Sequence, residues 1–229
     1  MGSGMSENDK KAEIDPQSTA VTWPTATKAT TKKALRGELL AARAALSPDD
    51  VRAAAEPLAR QALRLPELAG AATVAAYVSI GREPGTRVLL DSLRERNVRV
   101  LLPVLMADND LEWGEYEGAD ALVRAGRGLL EPAGPGLGAD AVLEADAVLL
   151  PGLAVDAHGM RLGRGGGSYD RVLARLGAAG ARPALVVLLY THEVVGQVPT
   201  EPHDHRVDAA VTPTGVRRFE ESVRDRPWG

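Results

Sequence analysis

The feature that most constrains the fold is a set of short runs that are apolar at nearly every position: residues 73–79 (TVAAYVS), 98–105 (VRVLLPVL), 146–152 (DAVLLPG) and 184–190 (ALVVLLY). A strand with one wet face alternates apolar and polar side chains, whereas a strand without alternation is covered on both faces. Between these runs lie segments with helical spacing. Residues 32–45 put Leu35, Leu39, Leu40 and Ala44 on one face. Ser47, Pro48, Asp49 and Asp50 supply an N-cap, a proline at the first helical position and acidic first-turn residues, opening a helix to about residue 63. Thr86 is expected to cap a helix running through residue 96, and a further helix covers 169–176. Residues 111–116 alternate like a half-exposed strand, 121–127 reads as a short helix at best, and 206–212 is the last strand. Buried strands alternating with helices predict an α/β fold, a single three-layer α/β/α domain with a largely parallel central sheet. Ligands of such sheets sit at the carboxyl ends of the strands. Residues 79–83, 152–169 and the segment from 191 onward would gather there.

The chain has 229 residues, 45% of them hydrophobic but only 3% aromatic, so its core must be built from Ala, Val and Leu. A net charge of −4 argues against a nucleic-acid or anionic-membrane surface, and any anion site must be local. Without cysteine there is no disulfide, thiolate metal site or cysteine nucleophile, which fits a reducing cytoplasm. No apolar run reaches the ~18 residues of a membrane span, and the amino terminus lacks a signal-peptide core. Residues 1–29 are polar, Thr-rich and aperiodic, and open on MGSGM like an expression-tag scar. The expected layout is a disordered tail over 1–29, one domain over 30–219 and a short tail over 220–229.

The most informative chemistry lies at residues 161–171, RLGRGGGSYDR. Gly163, Gly165, Gly166 and Gly167 leave the backbone nearly free of Cβ atoms, so successive N–H groups can converge on an anion. Arg161 and Arg164 add forked, permanently charged donors suited to phosphate oxygens. An apolar strand before the loop and a helix after it complete a phosphate site, because unpaired N–H groups and the helix dipole both favour negative charge. A flexible linker is the bland alternative, and the interleaved arginines and tight flanking elements argue against it. The loop is not a P-loop, since no lysine follows Lys33. It is not a Rossmann fingerprint, because Ser168 stands at the third-glycine position. Nor is Ser168 a nucleophile elbow, which would need glycine in place of Asp170.

Other constellations are less specific. Glu201, His203, Asp204 and His205 invite a zinc reading, but neighbours in an extended chain point to opposite faces and spaced partner ligands are missing. A carboxylate helping to hold a phosphate-bound magnesium fits better, with Asp170, in the first turn after the loop, as the second carboxylate. Asp170 also suits the helix dipole without any ligand. His158 and His192 read as ordinary loop histidines. Glu83 is either a ligand-orienting carboxylate or a solvated loop acid, and Lys32, Lys33 and Arg36 would ordinarily form a solvated helix face.

The stretch PGLAVDAHGMRLGRGGGSYD, residues 151–170, resembles the signature of the 5-formyltetrahydrofolate cyclo-ligase family. Four shorter pieces match in order: Lys32 with Leu35 and Arg36, Val78-Ser79 with Glu83, LLEP at 129–132, and residues 201–204 before VDAAVT. The resemblance covers about residues 31–212; the long loop motif is specific and the other pieces alone are weak. It implies a three-layer α/β fold and an ATP-driven cyclisation of 5-formyltetrahydrofolate to 5,10-methenyltetrahydrofolate. It implies ATP contacts from Lys32, Arg36 and the loop Arg161, Leu162, Gly163, Arg164, Gly165, Gly166, Gly167, Ser168 and Tyr169. Val78 and Glu83 would meet the folate, Arg164 to Ser168 would lie between the two ligands, and Asp170 and Asp204 would serve Mg²⁺. Arg161 and Arg164 are the catalytic candidates. ATP and a reduced folate would be the only partners of a monomeric enzyme. One departure from the family is Ser168, where a tyrosine usually covers part of the folate; Trp113 and Tyr116 are the rings expected to fill that gap. A relative with the same loop acting on another formyl or amide substrate is one alternative. A non-catalytic nucleotide- or folate-binding module is the other.

Overall fold

A computed structural model describes residues 31–201 and 204–219, so the tails expected at 1–29 and 220–229 lie outside the described residues. Along the chain come α1 (Lys32–Ala45), α2 (Pro48–Ala62), α3 (Pro66–Ala69), β1 (Thr73–Ala75), α4 (Arg87–Glu95), β2 (Arg99–Leu105) and β3 (Leu111–Glu115). There follow β4 (Leu122–Arg124), β5 (Leu130–Pro132), β6 (Ala147–Pro151), β7 (Ala154–Val155), β8 (Arg161–Leu162), α5 (Ser168–Ala178), β9 (Ala184–Leu188), β10 (Ala209–Thr212) and β11 (Gly215–Arg218). Seven strands form one sheet in the order β11-β10-β9-β6-β1-β2-β3. The five inner strands run parallel. The two edge strands, β3 and β11, are antiparallel to their neighbours.

The period of two along each inner strand explains the continuous apolar runs. Val74, Val100, Leu102 and Leu149 face a core shared with Leu58 and Ala62 of α2 and Leu89, Leu90 and Leu93 of α4. Their neighbours Ala75, Leu101, Val148 and Leu150 face the opposite core, under Val172, Leu173 and Leu176 of α5. Both faces of the inner strands are therefore dry except at the half-buried carboxyl end of β2, and each fully buried Val or Leu contributes about 1.5–3 kcal/mol. Helix α1 lies apart, with Leu35 and Leu39 packed on Leu153, Ala154, Leu162 and Val198 around the β7–β8 pair. The capping box at the start of α2 forms as its sequence suggests. Asp50 N–H donates to Ser47 Oγ at 3.1 Å and Ser47 N–H to the Asp50 carboxylate at 3.1 Å.

Two carboxylates hold the amino ends of the parallel strands. Asp146, just before β6, accepts from the N–H groups of Ala72 (2.7 Å) and Thr73 (3.0 Å) at the entrance to β1. Asp208, just before β10, accepts from Leu185 N–H at 2.7 Å in β9.

Several sequence expectations are corrected. In α1 the buried stripe is Leu35, Leu39 and Arg43, while Leu40 and Ala44 are exposed, because an ion pair described below draws Arg43 inward. Residues 121–127 form no helix beyond short 3₁₀ turns; the glycines at 126 and 128 and a left-handed Arg127 (φ 60°) turn the chain into the β4–β5 hairpin instead. Thr86 precedes α4 without a capping hydrogen bond. Its hydroxyl donates to Tyr77 O at 2.8 Å and accepts from Ser79 N–H at 2.9 Å, pinning the loop after β1. β1 pairs only to Ala75, the last parallel strand starts at Ala209, and β11 gave no apolar signal in the sequence. Among the described residues no helix is long and apolar enough to cross a membrane.

Candidate active site

From β1 the chain moves to β2, and from β6 it moves to β9 on the other side, so the sheet order reverses between the carboxyl ends of β1 and β6. A crevice opens at such a switch point. Here it is a cavity of about 430 Å³. The loop after β1 lines it with Val78 and Glu83, and the glycine loop after β8 lines it with Arg161 and residues 163–170.

Asp156 builds the turn that aims this loop. Its buried carboxylate accepts from the N–H groups of His158 (2.8 Å), Met160 (3.1 Å) and Val198 (3.1 Å), so β7 and β8 fold back on each other. Beyond them Gly165 (φ 88°) and Gly167 (φ 78°) take left-handed conformations that a side chain would strain. Gly167 is the N-cap of α5 and supplies no side-chain cap, so the first N–H groups of that helix lack the usual side-chain partner.

The Arg161 side chain is only 7% exposed. It donates to Pro151 O at 2.9 Å and lies 3.4 Å from the Asp170 carboxylate, but its Nε has no partner. Burial pulls its pKa down, partly offset by Asp170. A buried guanidinium short of an acceptor is primed for an anion. Glu83, 7% exposed, accepts from Ile80 N–H at 3.0 Å and pairs with Arg164 at 3.3 Å across the cavity. Burial pushes its pKa up, against the pull of the Ile80 N–H and the Arg164 charge. Tyr77 and Tyr169 also line the cavity. Burial raises both phenols, and the Tyr169 hydroxyl has no partner.

Lys32, Arg36 and Asp204 do not line the cavity; Arg36 meets the loop from α1, and Lys32 and Asp204 pair beside it. Arg36 Nε donates to Gly163 O at 2.9 Å. Lys32 bridges Asp204 (2.8 Å) and Glu201 (2.5 Å). These residues are no ordinary solvated helix face. The Leu162 side chain is buried against Leu35 and Leu39, so a contact from this residue to a ligand would be through its backbone. Trp113 and Tyr116 do not reach Ser168, which itself lines the cavity. Trp113 is fully buried between the sheet and α5, and Tyr116 donates to Asp91 at 2.6 Å beneath the other face.

Asp170 and Asp204 are hard oxygen donors, which suit magnesium better than zinc. Asp170 is half exposed and committed only to a long contact with Arg161, whereas the Asp204 carboxylate is held by Lys32 at 2.7 Å and by Glu201 N–H at 2.6 Å, so a metal would share it with Lys32. Among the described residues no three His, Cys, Asp or Glu side chains cluster as a metal cage, and His203 lies outside them. Two carboxylates would leave most positions to phosphate oxygens and water, which is how magnesium is commonly bound.

Sequence reasoning missed one buried device. Arg43 and Glu193 are 3% and 0% exposed and form a two-pronged pair at 2.5 and 2.9 Å. Arg43 also donates to Gly152 O at 2.7 Å, and Glu193 accepts from Tyr190 N–H at 2.9 Å. The pair ties α1 to the carboxyl ends of β6 and β9. An arginine spaced i, i+4, i+8 with two leucines was the available signal.

Fold and site together define an α/β enzyme that handles an anionic small molecule at a switch-point loop. Residues 28–213 match the 5-formyltetrahydrofolate cyclo-ligase family. The 5-formyltetrahydrofolate cyclo-ligase of Mycolicibacterium smegmatis is 45% identical over 148 residues, which cover 62% of this chain and 73% of that protein. Its Escherichia coli K12 counterpart is 30% identical over 178 residues, 76% of this chain and 96% of that protein. The solved structure of Aquifex aeolicus 5,10-methenyltetrahydrofolate synthetase superposes with a TM-score of 0.70 at 27% identity, covering 86% of this chain and 97% of that one. The chain belongs to the 5-formyltetrahydrofolate cyclo-ligase family and is a ligase.

Proposed function

We propose that this chain catalyses the ATP-driven cyclisation of 5-formyltetrahydrofolate to 5,10-methenyltetrahydrofolate, releasing ADP and phosphate. The observation that carries this reading is the cavity with two poles: a glycine loop with a buried, under-satisfied arginine at one, and a buried carboxylate at the other, joined by Arg164. A formamide carbon is a poor electrophile because its oxygen leaves badly. Transfer of the γ-phosphoryl group to the formyl oxygen breaks the bond to ADP and gives an imidate-type phosphate. The neighbouring aryl N–H nitrogen then attacks the formyl carbon and closes the five-membered ring; its proton is lost, the C–O bond breaks, and phosphate departs carrying that proton. No protein nucleophile is needed, so the protein positions the partners and neutralises charge.

Each residue has a part in that arrangement. Arg161 and the N–H groups of residues 163–169 hold the ATP phosphates, with Lys32 and Arg36 supporting them from α1. Arg164 follows the phosphoryl group as it moves toward the folate. Glu83 and Val78 seat the pteridine, whose ring N–H donors suit a buried carboxylate. Asp170 and Asp204 would hold Mg²⁺, which supplies charge neutralisation at the phosphates when bound. Both substrates are small molecules, and a chain without cysteine suits work in the cytoplasm.

The test is incubation with 5-formyltetrahydrofolate, ATP and Mg²⁺ while the methenyl chromophore is followed and ADP and phosphate are counted. One of each per product is expected. Product accumulating at full rate in EDTA without nucleotide, or no product at all, overturns the reading.

A further inference from the structure

The cavity changes character along its length in a way that the glycine loop and Glu83 leave unexplained. Away from the loop its walls are apolar, formed by Pro103, Leu105 and Leu111 beside the β2–β3 edge and by Leu129 and Leu130 at the start of β5. Arg127, at the tip of the β4–β5 hairpin, interrupts them and is, among the described residues, the only basic one lining the cavity outside the glycine loop. It is held there at some cost: φ 60° and ψ 19° place a non-glycine residue in the left-handed region, between two glycines that would fit it better. Its guanidinium donates to a neutral acceptor, Asn109 Oδ1, at 3.0 Å. The basic residues on the other side of the same β2–β3 turn are matched differently. Arg175 pairs with Asp110 at 2.7 Å, and Arg171 approaches Asp108 at 3.8 Å. No carboxylate among the described residues is paired with Arg127, which is exposed where it lines the cavity.

We propose that Arg127 is a specificity-determining residue that binds the glutamate carboxylates of the folate substrate; this rests on the reaction proposed above. A reduced folate is a flat ring with N–H donors, then a neutral aromatic spacer, then a glutamate with two carboxylates. The cavity presents the complementary series: the buried acceptor Glu83, an apolar stretch, and one fork-shaped cation at the rim. The ATP phosphates have Arg161, Arg164 and the loop N–H groups, and so leave Arg127 to the other anion. A guanidinium suits this task because it can grip a carboxylate through two parallel bonds.

The test compares 5-formyltetrahydrofolate with the amide of 5-formyltetrahydropteroate, in which a neutral CONH2 group replaces the glutamate and leaves no carboxylate on the benzoyl ring, by calorimetric Kd and by KM. The proteins are the wild type, Arg127→Gly and Arg127→Lys. Glycine suits the left-handed backbone, so the hairpin keeps its fold. The wild type should prefer the folate by about tenfold, roughly the value of one charged contact at a partly wet site. Arg127→Gly should lose that preference, binding the folate no better than the amide while Kd for the amide and KM for ATP stay unchanged. Arg127→Lys should retain part of the preference. Equal weakening of both ligands, or none, overturns the proposal. If the wild type makes no methenyl product, the reaction is wrong, yet the Kd comparison still decides Arg127; absence of binding of either ligand to the wild type overturns both.

Discussion

Arg164 spans the cavity from the glycine loop to Glu83 with half its side chain exposed, so little of the fold depends on it. Arg164→Ala should lower kcat by roughly 10²-fold, about 2.7 kcal/mol of lost charge stabilisation at the moving phosphoryl group, with little change in Tm. Near-normal turnover would reduce it to a solvated loop charge. Glu83 carries the opposite trade. Its pKa is raised by burial, so the folded protein resists its charge, and the resulting destabilisation exists only above the ordinary carboxylate range. Glu83→Gln should therefore be more stable than wild type at neutral pH while raising KM for the folate. The stability difference should fade as pH falls below that range, where the wild-type carboxyl is protonated in both states. A Tm gap that stays constant across that range would show that the buried charge is not its source. At the proposed magnesium site, Asp170→Asn and Asp204→Asn should each raise the Mg²⁺ concentration for half-maximal rate, since a carboxamide is a weaker ligand for a hard cation. An unchanged Mg²⁺ titration would remove these two residues from the metal site. Residue type pointed to Arg164, Asp170 and Asp204 because loop chemistry is written in it, whereas Glu83 stayed open between ligand carboxylate and solvated acid until the family resemblance favoured the first. Sequence reasoning misplaced Trp113 and Tyr116 because the face a ring occupies depends on register and on what packs beneath it.

At the scale of elements, α1 delivers Arg36 to the glycine loop and Lys32 to Glu201 and Asp204, and the Arg43–Glu193 pair fixes where that helix sits. Arg43→Met strands a buried carboxylate and should cost about 3–5 kcal/mol in denaturant unfolding. The double variant Arg43→Met with Glu193→Gln should recover much of that loss, because neither charge then remains unpaired. A double variant no more stable than the single one would mean that the pair contributes packing rather than charge balance. The inner strands and α2 were legible because periodicity and capping act locally. The β4–β5 hairpin and β11 were not. The hairpin's turn hangs on a left-handed arginine that no propensity anticipates, and β11 is an edge strand whose pattern is too short and polar to register. The inward turn of Arg43 was hidden for a related reason, since its partner lies 150 residues away.

For the whole molecule, the two ends of the sheet carry different burdens. The carboxyl ends of β1 and β6 open onto the cavity, while Asp146 and Asp208 tie adjacent strands together at the amino ends. Asp146→Ala leaves two strand N–H groups without their acceptor and should cost about 1–3 kcal/mol, lowering Tm by several degrees. Turnover of the folded fraction should be untouched, and a kcat that falls in step with Tm would show that the ends are coupled. Damaging variants should then fall into two populations, one that fails on warming yet works when cool, and one that melts normally yet never works. A lineage of such proteins could alter the lip of its cavity, where Ser168 and Arg127 sit, and so change which ligand it prefers. Its heat tolerance would be inherited intact from the opposite edge.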